Sequence, residues 1–211
     1  MREIVLDTET TGLSPREGHR LVEIGCVELM NFLPTGETFH VYINPQRDMP
    51  VEAFNIHGLS TEFLSDKPLF ADIADDFLSF ISDSRLIIHN ASFDMSFLSY
   101  EMENIGIEAF KKNDILDTLQ EARRKHPGSP NSLDALCKRY NIYNSNRTLH
   151  GALLDSELLA EVYLELIGGR QPDLTLEQSS KKIIDINASG NIGSKRPKEL
   201  SSRLSEEEKK A

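Results

Sequence analysis

The sequence predicts an α/β fold in which a mixed central sheet is flanked by helices. Three observations predict it: strand-like segments fill the first 44 residues, helical periodicity begins at Phe70, and a short apolar strand then interrupts the helices. REIVLDTE is a buried-looking strand, LVEIGCVELM a second with alternation, and ETFHVYIN a third. Gly12 and a turn at Pro34–Gly36 punctuate them, which suggests an antiparallel meander. Phe70, Ile73, Ala74, Phe77, Leu78 and Ile81 then recur at helical spacing, and Leu86–His89 reads as the next strand. Further helical patterns cover Phe93–Glu103, Asp117–Lys125, Ser132–Tyr140 and Ala152–Leu166, the third of these four opened by an Asn-Ser start signal.

The chain has 211 residues, 39% apolar and 27% charged, enough for one ordinary core and a small appendage. Apolar periodicity fades after Gly168-Gly169, and stretches such as NASGNIGSKRPKELSS lack the residues that build a core. Residues 1–169 are therefore expected to form one domain and 170–211 a flexible C-terminal tail. The formal charge is −11, with 15 basic and 27 acidic residues before Gln171, so the acidic excess belongs to the domain. That argues against a protein coating long stretches of nucleic-acid backbone; any such contact should be short and metal-assisted. No apolar run reaches the roughly 18 residues of a membrane span and no signal peptide is visible, so a cytoplasmic location is expected. Cys26 and Cys137 sit far apart in apolar-periodic segments and read as reduced core thiols.

The chemistry begins on the first strand. In LDTETTGL, Asp7 and Glu9 are two apart, so on a strand both carboxylates leave one face and Thr8 the other. Adjacent acids at the end of an apolar strand repel unless a cation neutralises them, and hard oxygen ligands favour magnesium or manganese. An ordinary solvated strand end is the alternative for this pair alone. Asp94 follows the fourth strand near a helix start, where an acid is also simply a favourable first-turn charge. In RTLHGALLDSELLAEVYLEL, Asp155 has the apolar neighbours Leu154, Leu158 and Leu159, and a buried acid demands a partner. His150, beside a glycine ahead of that helix, is placed to transfer a proton at the edge of a site, although a lone histidine is more often structural.

An Asp-x-Glu on the first strand, an Asn-Ala-x-Phe-Asp helix start and a His-x-Ala-x-x-Asp at a late helix, in that order, resemble the three motifs of the DEDD exonucleases. The histidine in the third resembles the subgroup containing the proofreading epsilon subunits of bacterial DNA polymerase III. EAFNIHGLSTEFL, NSLDALCKRYNI and RTLHGALLDSELLAEVYL also look like epsilon segments, so the likeness covers most of residues 2–169, with no departure at a catalytic position.

The resemblance implies a ribonuclease H-like fold that gathers Asp7, Glu9, Asp94 and Asp155 around two divalent ions, with His150 deprotonating the attacking water. It implies that Thr10, Thr11, Gly12 and Leu13 hold the terminal nucleotide's sugar and base, that Glu52 meets the 3′-hydroxyl, and that His57 meets the nucleotide. His89 reads instead as structural and Asp117 as a helix cap. The expected substrate is a frayed or single-stranded 3′ DNA end. In the tail, QPDLTL has the form of a sliding-clamp-binding peptide, which nominates Gln171, Leu174 and Leu176, and the last segment resembles the tether to the polymerase catalytic (alpha) subunit. A further small subunit is left open as a partner. An RNA-directed exonuclease of the same superfamily and a non-catalytic clamp and polymerase adaptor are the alternatives.

Overall fold

The structure, a computed structural model, describes residues 1–108, 110–144 and 149–168. Strand β1 (Arg2–Thr10) is followed by β2 (Leu21–Met30) and β3 (Leu33–Tyr42), and two short helices come next, α1 (Val51–His57) and α2 (Thr61–Ser65). Helix α3 (Phe70–Ile81), β4 (Arg85–Ile88), α4 (Ala91–Asn104), β5 (Ile115–Asp117), α5 (Thr118–Lys125), α6 (Leu133–Tyr140) and α7 (Ala152–Leu166) complete the order. Among the described residues the strands form one sheet in the order β3-β2-β1-β4-β5. Its first three strands pair antiparallel, while β1 with β4 and β4 with β5 pair parallel, so the expected meander and mixed sheet are both present.

Alternation along β1 distributes the layers. Ile4 and Leu6 pack with Phe70, Ile73 and Phe77 of α3 and with Phe97, Leu98 and Met102 of α4. Val5, on the other face, packs with Leu159 and Tyr163 of α7, and α7 in turn buries Leu158, Val162 and Leu166 against α5 and α6. Burying a side chain of this size contributes about 1.5–3 kcal/mol, so α7 is held by both the sheet and its helical neighbours. Cys26 and Cys137 are both buried in the core, as expected.

The reversal expected at Pro34–Gly36 lies elsewhere. Asn31 and Phe32 both adopt positive φ, 52° and 69°, and make a tight hairpin between Met30 and Leu33. Pro34 pairs with Leu29 inside β3, and the register shift between Val27 and Leu29 absorbs the extra residues around Gly36 as an irregularity of the strand. No described helix is long and apolar enough to cross a membrane. The expected tail, with Gln171, Leu174 and Leu176, lies outside the described residues.

Candidate active site

The site forms where β1, still paired with β2, extends past the end of β4. The β1–β4 pairing ends at Leu6↔Ile88, so Asp7, Thr8 and Glu9 project beyond it at the carboxyl edge of the parallel strands. Glu9 is buried, 8% exposed, and a carboxylate in that setting needs a compensating charge.

Helix α7 brings a second buried acid toward Glu9. Gly25 of β2 makes this possible: a Cβ there would sit 2.2 Å from the Leu153 amide nitrogen and 2.3 Å from the Ala152 carbonyl carbon, so the first turn of α7 rests directly on the strand. Ser156 Oγ donates to the Gly25 carbonyl at 2.8 Å and fixes the contact. Asp155 is thereby carried into the interior, 2% exposed, with its Oδ2 3.3 Å from His150 Nδ1. His150 is half exposed, and its backbone N–H donates to the Ile56 carbonyl at 3.0 Å, tying the approach to α7 onto α1. Ligand atoms of Glu9, His150 and Asp155 lie within 4.8 Å of one another, a spacing at which one divalent cation can be shared. Asp7 lines the same cavity, next to them.

Asp94 stands apart from this close group. It projects from the first turn of α4, 3% exposed, and accepts a 2.7 Å hydrogen bond from Thr8 Oγ1, on the face of β1 opposite Asp7 and Glu9. Burial pushes its carboxyl up to about 7, with the Thr8 hydroxyl and the amides of Asp94 and Thr8 acting against the rise. The start of α4 is unusual: Asn90, its N-cap, is left-handed at φ 67°, and its N–H is met by Asp117 Oδ1 at 3.1 Å. Asp117 also accepts from Leu119 N–H at 2.9 Å, so it caps α5 as expected while steadying the approach to Asp94. His89 bonds through Nδ1 to Thr118 Oγ1 at 2.9 Å, the structural role read for it.

Glu9 also borders a smaller cavity of about 330 Å³, lined in addition by Thr10, Thr11, Gly12, Glu52 and His57. These are the nominated nucleotide-contacting residues, except Leu13, which is 82% exposed and outside this lining. His57 is buried; its Nδ1 accepts from Leu59 N–H at 3.1 Å, which makes the neutral ring an Nε2–H donor. That Nε2 is buried without a hydrogen bond of ordinary geometry. Burial lowers the His57 pKa, the Thr10 backbone opposes the shift and His150 adds to it.

Two supports were absent from the sequence reading. His19 lines the smaller cavity, with Nδ1 3.3 Å from Thr11 Oγ1 and its ring against Gly12. Arg20 forms a double hydrogen bond to buried Glu101 of α4, at 2.6 and 2.7 Å, so the loop after β1 is strapped to the helix that carries Asp94. Nothing local in the sequence pairs residues 81 positions apart.

A family model described as Exonuclease matches residues 4–163. The chain is 58% identical over 191 residues to the DNA polymerase III subunit epsilon of Rickettsia conorii, covering 89% of this chain and 80% of that one. It is 52% identical over 176 residues to the subunit of Escherichia coli, covering 80% and 72%. Among solved structures, exonuclease X in complex with 5′-overhanging duplex DNA superimposes with a TM-score of 0.63 at 25% identity, covering 78% of this chain and 90% of that one. The parallel-edge acids, the histidine beside them and these likenesses have one reading: the chain belongs to the exonuclease family and, within it, to the epsilon subunits of DNA polymerase III.

Proposed function

We propose that this protein removes nucleotides from mispaired or single-stranded 3′ DNA ends, as the 3′→5′ proofreading exonuclease of the replicative DNA polymerase III, and that it does so in the cytoplasm. The observation that carries the proposal is the meeting of Glu9, His150 and Asp155 within 4.8 Å beside Asp7, in a chain 58% identical to an epsilon subunit.

The donor set fits divalent metal. Its groups are hard oxygen ligands, two of them buried, in a cavity with few basic side chains to neutralise them. Magnesium or manganese, as two ions held by Asp7, Glu9 and Asp155 with Asp94 in support, supplies Lewis-acid activation of water and stabilisation of the leaving 3′-oxygen. The protein's own residues do the rest. His150 takes the proton of the attacking water, and Asp155, 3.3 Å from its Nδ1, orients the ring. Glu52 accepts a hydrogen bond from the terminal 3′-hydroxyl, His57 donates from Nε2, and Thr10, Thr11 and Gly12 border the sugar. Leu13, exposed on the surface, meets the base of an incoming end from outside that lining.

A narrow pocket accounts for editing. A mismatched end is cheaper to unstack and draw in than a paired one, so mispairs are cut faster without any reading of sequence. A polymerase that already grips the duplex delivers the end, which is why a chain of charge −11 serves. Gln171, Leu174 and Leu176 dock on the sliding clamp as an extended peptide, and the last segment of the chain holds the alpha subunit.

The test is degradation of a 3′-mismatched DNA primer by wild type and Asp7→Ala, with magnesium, manganese or chelator, beside an RNA oligomer. Stepwise loss of DNA that needs both metal and Asp7 is the expected result. Preferential loss of RNA would move the protein to the RNA-trimming branch, and no cleavage would leave an adaptor that bridges clamp and polymerase.

A further inference from the structure

Hydrolysis of a terminal nucleotide uses the smaller cavity and the acids; it leaves most of the larger one without a role. The larger cavity, about 830 Å³, shares Glu9 with the smaller, about 330 Å³, so a phosphate held at the acids borders both. A phosphodiester has two sides. With the released nucleotide in one cavity, the strand 5′ of the scissile bond leaves through the other.

That strand carries a negative charge at every step, and the larger cavity is a hostile lining for it. Asp7, Glu9, Asp134 and Asp155 contribute four carboxylates, and the permanent cation among the lining residues is Arg123, in the last turn of α5. Arg123 is exposed and forms no hydrogen bond or ion pair within the described residues. Its neighbours differ: Arg124 pairs with Glu121, Arg20 with Glu101, Arg85 with Asp114, and Arg139 bonds the Pro130 carbonyl. An unengaged guanidinium facing an acid-lined groove is matched to a phosphate, which it meets with two parallel N–H donors.

The wall beside Arg123 is built to stay in place. The connection from α5 to α6 is pinned by Asn131 Nδ2 on the Ser129 carbonyl at 2.9 Å, Arg139 on Asn131 Oδ1 at 3.2 Å and His126 on the Tyr140 hydroxyl at 2.7 Å. Ser129 and Ser132 present this connection to the cavity. A rigid polar wall with one cation holds a strand in register with little loss of chain freedom.

We propose that Arg123, together with Ser129, forms a second nucleotide subsite that binds the phosphodiester one step 5′ of the scissile bond. The subsite rests on the exonuclease reading above and adds to it the length of strand the enzyme grips: two linkages rather than one.

The experiment compares thymidine dinucleotide, which has the scissile linkage alone, with the trinucleotide, which has an upstream linkage as well. Wild type is expected to show a lower KM on the trimer. Arg123→Ala should raise the trimer KM roughly tenfold with kcat and dimer hydrolysis unchanged, and should make the salt dependence of trimer KM shallower by about 0.7 in log–log slope. Arg123→Lys should recover part of the loss. Equal effects on dimer and trimer, or none on either, would overturn the subsite. Wild type that cuts neither would instead overturn the exonuclease reading; fluorescence anisotropy of labelled trimer in calcium then still reports whether Arg123 binds the upstream phosphate, and unchanged affinity in Arg123→Ala would sink it.

Discussion

The Thr8 hydroxyl donates a 2.7 Å hydrogen bond to the Asp94 carboxylate, two buried groups, one on β1 and one on α4, that meet past the end of β4. Burial pushes Asp94 up to about 7, far above its unfolded value near 3.8. Between those values the folded state holds a proton that the unfolded state has released, so stability from this group is present at low pH and is lost as pH rises through 7. Asp94→Asn removes that pH dependence. In chelator at pH 8 the variant should melt a few degrees above wild type, the gap closing toward pH 5, while hydrolysis is abolished. Thermal scans over that range check it; a variant that melts lower at pH 8 would refute it.

His150→Ala is expected to keep oligonucleotide binding and to lower turnover by around 10²–10⁴-fold, the usual contribution of a general base. Single-turnover rates alongside calcium-supported binding measure the two separately. Near-normal turnover would remove the histidine from the proton path.

Gly25→Ala tests whether α7 sets the geometry of the acids. The new methyl group would meet backbone atoms of Ala152 and Leu153 at 2.2–2.5 Å, which no rotamer change can relieve. The helix must lift, at about 1–3 kcal/mol, and Asp155 moves with it. Lower thermal stability and at least a tenfold fall in kcat, measured well below the melting point, are the expected outcomes. Full activity in a destabilised variant would mean that Asp155 tolerates displacement.

For His57 the buried ring is neutral, with its proton on Nε2. Its pKa lies below the ordinary 6.5, so stability from this group is present above pH 6.5 and is lost as acidification protonates the unfolded chain first. Nitrogen-15 NMR of the ring should report the Nε2–H tautomer at pH 6.5, and His57→Phe, which lacks the donor, should raise KM for short oligomers more than it lowers kcat. An imidazolium signal at that pH would contradict the assignment.

The long elements were legible because their patterns are local. Phe70–Ile81 carries enough turns for periodicity to fix both ends, Ala152–Leu166 is a long run of helix formers with apolar residues on several faces, and Asp117 and Ser132 announce helix starts by their side chains. Helices α1 and α2, of seven and five residues, and the three-residue β5 are too short to show a period, and went unread. The misplaced turn has a related cause: Pro34 and Gly36 resemble a reversal, but the left-handed pair Asn31–Phe32 makes it, and a phenylalanine at positive φ is no turn signal. At the site, Asp7, Glu9 and Asp155 were readable as acids in apolar company. Gly25 and the Arg20–Glu101 strap were not, because their purpose is set by an element far away in sequence.

Helix α7 grips β1 at two places. Tyr163 Oη donates to the buried Glu3 carboxylate at 2.9 Å near the strand's beginning, and Asp155 approaches Glu9 near its end. Both gripped residues lie on one face of the pleat, so a slip of a single position would present Thr8 in place of a carboxylate and break the tyrosine contact at the same time. The strand is thus gauged against the helix as on a vernier, and a chain that closes its core in the wrong register cannot also assemble a working cutting edge. Errors in folding are converted into silence rather than into a loosely specific nuclease.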